Sequence, residues 1–151
     1  MEKTYYSLEH GYNSRLDELH ASILRGKLRH LDDYITRRQE LAKRYDQALA
    51  QSGLMLPKIK ENNQHAYYLY VCRHPERDRI IESLKSHDIF ANISYPWPIH
   101  TMTGYRFLGY QEGDFPNTEK AAREIFSLPM YPSLSNEEQD TVIAALSEIL
   151  K

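Results

Sequence analysis

The stretch Gly11-Tyr-Asn-Ser-Arg15 gathers an amide, a hydroxyl and a guanidinium where a helical pattern starts. A helix N-terminus there offers unpaired N–H groups and the positive end of the macrodipole, which favour an anion such as phosphate. Arginine adds a donor fork that matches a phosphate or carboxylate in two places. Asparagine and serine are also ordinary helix caps, so the pattern alone is equally met by a cap. A second group sits on Ser94-Tyr-Pro-Trp-Pro-Ile-His100. Pro96 and Pro98 remove amide donors and restrict the residues before them, so this segment is an irregular, pinned loop carrying Tyr95, Trp97 and His100. It reads either as the wall of a cleft or as a rigid connector that packs its own aromatics.

Other chemistries find less support. Histidines stand at positions 10, 20, 30, 65, 74, 87 and 100, and no two are three or four residues apart with a carboxylate base beside them. They read as scattered surface side chains, and no metal site is assigned. Cys72 is the single cysteine, which excludes an intrachain disulfide and a cysteine-based zinc site. Among strand formers it reads as a small buried hydrophobe and not as a nucleophile. Glycine-rich phosphate loops and the G-x-S-x-G elbow of acyl transfer are both missing from the sequence.

The elements that must position these residues follow from periodicity. After a polar, aromatic entry segment, Asn13 or Ser14 is placed to cap a helix, with Asp17 three residues beyond Ser14 in capping-box spacing. Leu16, Leu19, Ile23, Leu24, Leu28, Leu31, Tyr34, Ile35, Leu41, Tyr45 and Leu49 then recur at threes and fours, and Gly53 closes the run. A helix of about 38 residues is roughly 55 Å long. A compact domain of this size is only about 40 Å across. The helix therefore either kinks, with Gly26 a candidate, or packs its far end on another chain or domain; the second is the preferred reading.

Downstream, Ala66–Cys72 and Ile89–Ile93 read as strands, with a helix opening at Pro75 between them. A further helix follows Phe115-Pro-Asn-Thr118, Leu128-Pro-Met-Tyr-Pro132 is extended, and Ser135-Asn-Glu-Glu138 opens a last amphipathic helix with a capping box. The expected fold class is α+β: one long helix and a small α/β layer of about three strands and three helices. Its expected division is an entry segment and long interface helix over residues 1–53 and a small α/β domain over 54–151.

Composition bounds the class. The chain has 151 residues, 41% hydrophobic and 26% charged, with 19 basic against 21 acidic side chains and a net charge of −2. That indicates a soluble globular protein. The charge balance argues against a nucleic-acid partner held by phosphate neutralisation. Neither a run of about 20 apolar residues nor the apolar core of a secretory signal is present, and a reducing, cytoplasmic setting is expected. Tyrosine occurs 12 times and phenylalanine 4 times. A buried tyrosine hydroxyl needs a partner, so this excess points to half-buried walls and interfaces.

Taken in order, the motifs are Gly11-Tyr-Asn-Ser-Arg-Leu-Asp-Glu-Leu19 with Ile23-Leu-Arg-Gly-Lys-Leu28, His65-Ala-Tyr-Tyr-Leu-Tyr70, Tyr95-Pro-Trp-Pro-Ile-His100, Gly109-Tyr-Gln-Glu-Gly-Asp-Phe-Pro116, and Ser127-Leu-Pro-Met-Tyr-Pro132 with Leu134-Ser-Asn-Glu-Glu138. The series resembles the C-terminal part of the DegT/DnrJ/StrS family, aminotransferases of keto-sugar nucleotides that depend on pyridoxal phosphate (PLP). The resemblance runs almost end to end and implies the C-terminal small domain of a fold-type-I PLP transferase. It implies amino transfer from glutamate to a nucleotide-linked keto-deoxysugar, in polysaccharide or sugar biosynthesis. The family's Schiff-base lysine lies upstream of the matched region, and none of Lys3, Lys27, Lys43, Lys58, Lys60, Lys85, Lys120 and Lys151 stands in its setting. An N-terminal PLP-lysine domain is thus expected to be absent, and the chain to be catalytically incomplete alone, with no catalytic residue of its own.

By the same resemblance Asn13 reaches the cofactor phosphate across a homodimer interface, and Arg15 supports that site or the substrate. Tyr95 and His100 lie beside the substrate. Ser94 stands where many relatives carry histidine, and His20, Ser22 and Gly26 replace the usual residues of the interface helix. The expected partners are a homodimer mate or a missing large domain, and a nucleotide sugar. The alternative is a non-catalytic scaffold that dimerises through the long helix.

Overall fold

The computed structural model describes residues 17–151. In chain order they form α1 (Glu18–Leu28), α2 (Leu31–Ala48), β1 (Tyr70–Arg73), α3 (Arg77–Lys85), α4 (Pro116–Glu124), β2 (Ile125–Leu128) and α5 (Asn136–Ile149), and two 3-10 turns, Ile99–Thr101 and Thr103–Leu108, precede α4. The fold class is the expected one, helices with a small sheet. The chain divides at Asp32/Asp33 into two units.

The long helical run is present as two helices. Its cap is Asp17, whose carboxylate accepts the amides of Leu19 at 2.8 Å and His20 at 3.4 Å. The caps expected at Asn13 or Ser14 lie outside the described residues. The run is interrupted at Arg29–His30, three residues past Gly26, where the His30 amide donates to the Lys27 carbonyl at 3.0 Å. That is the tighter closure common at helix ends. α1 buries none of its residues, and Leu19, Ile23, Leu24 and Leu28 are exposed.

In the second unit one apolar stripe of α2, Leu41, Tyr45 and Leu49, packs into a core with Tyr70 and Cys72 of β1, Phe126 and Leu128 of β2, Ile80 and Leu84 of α3, and Val142 and Leu146 of α5. Gln139 of α5 is fully buried and ties the two ends of this core together. Its Nε2 donates to the Leu41 carbonyl at 2.7 Å, and its Oε1 accepts from Arg44 Nε at 2.9 Å. Buried amides persist only when both ends are satisfied in this way. Ser135 and Glu138 form the capping box read from the sequence, with 3.1 and 2.8 Å bonds.

The sheet is antiparallel, pairing Tyr70 with Leu128 through to Arg73 with Ile125. Single bridges extend it on both edges, Met55 to Arg73 and Asn92 to Ser127. The strand expected over Ile89–Ile93 is thus reduced to one bridged residue, because Pro96 and Pro98 draw the chain away soon after. The strand expected from Ala66 starts only at Tyr70, because Tyr67 takes a left-handed φ of 48° that breaks an extended run. That turn is held from both sides. His65 Nδ1 accepts the Tyr67 amide at 2.9 Å, and Arg38 Nη1 donates to the carbonyls of Tyr67, Tyr68 and Met130 at 2.9–3.0 Å.

Candidate functional site

Between Ser94 and α4 the chain builds a surface from short-range bonds. Thr101 turns back on Pro98, its amide and its Oγ1 donating to the Pro98 carbonyl at 3.1 and 2.8 Å. The second 3-10 turn ends at Gly109, whose φ of 78° continues the chain in a left-handed step that glycine adopts freely. Asp114 Oδ2 accepts the Gln111 amide at 2.9 Å. On this framework Tyr95 and Trp97 are 76% and 69% exposed. Proline pins the backbone while leaving these aromatic faces open to solvent.

His100 lies the other way. It is 8% exposed, and its Nε2 is 2.9 Å from Oε1 of Glu119, itself 7% exposed on the first turn of α4. The same oxygen accepts the amides of Gly113 at 2.8 Å and Phe115 at 3.4 Å. The hydrogen bond from His100, then that from the Gly113 amide, hold the Glu119 carboxyl below its ordinary range against an opposing cost of burial. With that carboxylate ionised, the His100 Nε2–H must be the donor. Phe115 meets the His100 ring edge-on at 4.8 Å, and Tyr110 meets Phe115 at 5.0 Å. Beside this knot a cavity of about 370 Å³ is lined by His100, Thr101, Arg106, Gly109, Tyr110, Gln111 and Glu112. It offers a cation, a carboxylate, a phenol and an amide to a polar ligand.

The residues singled out from the sequence fall in different places. Asn13 and Arg15 lie outside the described residues. Tyr95 and His100 belong to one loop, yet Tyr95 faces solvent and His100 packs inward on Glu119. Glu119 was not singled out. Its signal was a carboxylate four residues after Phe115, in the first turn of a helix, whose reach to a histidine 19 residues away no local pattern displays.

The tyrosine excess has a second use. Tyr45, Tyr67 and Tyr70 are buried in the core, and not at a half-buried wall as expected. Tyr45 and Tyr70 rings lie 5.0 Å apart, and each hydroxyl is satisfied: Tyr45 Oη donates to the Pro129 carbonyl at 3.1 Å, Tyr70 Oη to Asp46 Oδ1 at 2.5 Å. Burial, then for Tyr70 the bond to Asp46, pushes both phenols far above their ordinary range. Cys72 is also buried, and burial pushes its thiol up to about 12, which makes it inert.

Pyridoxal phosphate asks for a lysine amine, a carboxylate facing its ring nitrogen and a phosphate cradle. Among the described residues no such set comes together. One cavity includes a lysine, Lys43 with Asp46 and His65, and these give an open polar recess without a phosphate cradle. No group of three or more His, Cys, Asp or Glu side chains able to hold a metal occurs among the described residues. None of the described helices is long and apolar enough to cross a membrane.

Residues 1–147 match the model of the DegT/DnrJ/EryC1/StrS aminotransferase family. A dTDP-3-amino-3,4,6-trideoxy-α-D-glucose transaminase from Micromonospora megalomicea subsp. nigra is 52% identical over 156 aligned residues, covering 99% of this chain and 42% of the relative. The crystal structure of DesV from S. venezuelae, in complex with a ketimine intermediate, superposes with a TM-score of 0.91 at 34% identity, covering 100% of this chain and 41% of that one. NtdA from Bacillus subtilis with bound cofactor PMP gives 0.83 at 28% identity, covering 98% of this chain and 35% of its own. The chain thus spans about two fifths of the length of these relatives. From its motifs, its fold and its match over residues 1–147, the chain belongs to the DegT/DnrJ/EryC1/StrS aminotransferase family.

Proposed function

We propose that this chain is the small-domain part of an aminotransferase that moves an amino group from glutamate to a nucleotide-linked keto-deoxysugar, with pyridoxal phosphate as cofactor. The observation that carries the reading is the 52% identity, over 99% of the chain, to a transaminase of a dTDP-linked amino sugar. When bound, pyridoxal phosphate supplies the electron sink that amino transfer requires.

In this reading Asn13, four positions before the Asp17 cap in the sequence, donates its side-chain amide to the cofactor phosphate, and Arg15 adds its fork beside it or toward the substrate. Tyr95 offers its exposed ring and hydroxyl to the sugar nucleotide. His100 serves the substrate side by fixing the loop, and its ring lines the cavity shared with Arg106 and Tyr110. Residues 1–53 form the interface segment and 54–151 the small domain. The partners are a second copy and a lysine-bearing large domain. A cytoplasmic place suits the unpaired, buried Cys72.

The scaffold alternative has one observation in its favour, the uncovered apolar side chains of α1. The two readings separate with the 151-residue chain, pyridoxal phosphate and borohydride. The aminotransferase reading expects no lysine of the chain alone to be modified. Mixing in a lysine-bearing large segment from a relative should then produce a fixed adduct on that segment. A fixed adduct on Lys43 or another lysine of this chain, accompanied by amino transfer, would overturn the division of labour. No adduct in the mixture, despite stable association, would favour the scaffold.

A further inference from the structure

The segment from Ser94 to Phe115 carries exposed Tyr95, Trp97, Tyr105 and Phe107, and its regular hydrogen bonds reach only three residues along the chain. Bonds of that reach set local turns and do not fix where a loop of some 20 residues stands. What fastens it to the first turn of α4 is the carboxylate of Glu119. One oxygen receives the ring of His100 near the start of the segment and the amides of Gly113 and Phe115 at its end. The Glu119 amide in turn donates to the Phe115 carbonyl at 3.0 Å, so the anchor is built into the first turn of α4. A negative charge there is also favoured by the helix macrodipole. A helix cap alone would account for the Phe115 amide. It would not account for burying a histidine from 19 residues away on the same atom.

We propose that Glu119 is a positioning residue: by holding His100, Gly113 and Phe115 on one buried oxygen, it sets the stance of the loop that presents Tyr95 and Trp97 to the sugar nucleotide. The proposal rests on the substrate-side reading of that loop for its purpose, and on geometry alone for the anchor.

Trp97 is the single tryptophan of the chain and stands three residues before His100, so its fluorescence reports the loop directly. In the 151-residue chain, Glu119→Ala should raise acrylamide quenching of Trp97 and lower its anisotropy, with the far-UV circular dichroism retained. Glu119→Gln keeps an acceptor oxygen and should restore most of the anisotropy. Unchanged Trp97 quenching and anisotropy in folded E119A overturn the anchor. Should E119A not fold, hydrogen exchange on the unaltered chain decides: the Gly113 amide is expected to be protected, and free exchange there overturns the anchor equally. The purpose is tested separately, in this chain fused to the large segment of the Micromonospora relative. E119A should raise the KM for dTDP-3-amino-3,4,6-trideoxy-α-D-glucose by more than it lowers kcat. A loosened Trp97 with unchanged KM would leave the anchor standing and overturn the substrate-side reading.

Discussion

Glu119 stands as the buried carboxylate among the described residues, and its chemistry fixes a pH dependence. Its folded-state titration is depressed by the bonds from His100 and Gly113, so its stabilising effect is present above the ordinary carboxylate range. That contribution is lost as the pH falls through the depressed value. Denaturant titrations from neutral to acid pH should therefore show a loss of stability in the acid window that is smaller in E119Q. Equal loss in the two proteins would place the linkage elsewhere, for example at Glu76 beside Arg79, which is depressed as well. Two core residues give simpler tests. Tyr70→Phe keeps the ring against Tyr45 and removes the donor to Asp46, and should cost about 1–3 kcal/mol in equilibrium unfolding. Cys72, with its thiol pushed up to about 12 and buried, should resist thiol reagents in the native chain and react on unfolding. These roles were unequally legible. The inertness of Cys72 followed from its strand-forming neighbours, whereas the Glu119–His100 pair joins positions that no helical or strand period relates.

The capping box at Ser135 and Glu138 is a pattern of four residues, and α5 begins where it indicates. Ser135→Ala should cost about 1 kcal/mol by removing an acceptor from the Glu138 amide, measured by the shift in the unfolding midpoint. Leu146, fully buried where α5 meets the core, should cost about 2–5 kcal/mol as alanine. The misplaced elements share a physical cause, a tertiary contact that overrides local preference. β1 starts late because Arg38 on α2 secures a left-handed turn at Tyr67 with three carbonyl bonds, one of them to Met130 far along the chain. β2 runs Ile125–Leu128, ahead of the extended Leu128–Pro132 expected from the sequence, because Ile125 pairs with Arg73 across the sheet. The interruption at Arg29–His30 holds no proline or glycine itself and falls three residues past Gly26, the kink candidate of the sequence.

For the molecule as a whole, the family was legible because five motifs occur in one order, a signal that no single motif carries. Asn13 and Arg15 rest on that resemblance. The apolar side chains of α1 pose the question that belongs to this scale. Leu19 and Leu28 are 69% and 67% exposed, more apolar surface than a helix ordinarily offers to water. The aminotransferase account expects the remainder of the enzyme to cover it. A dye that binds exposed apolar surface should therefore fluoresce with the 151-residue chain and lose most of that signal once the chain is fused to a lysine-bearing large segment. The central claim, that this chain supplies the small domain of a nucleotide-sugar aminotransferase, is met most directly by replacing the matching two fifths of the Micromonospora transaminase with it. The fused protein, given dTDP-3-amino-3,4,6-trideoxy-α-D-glucose and 2-oxoglutarate, is expected to form glutamate and the keto-sugar nucleotide, read by mass spectrometry. A fused protein that folds and binds pyridoxal phosphate, yet transfers no amino group between these two substrates, would contradict it.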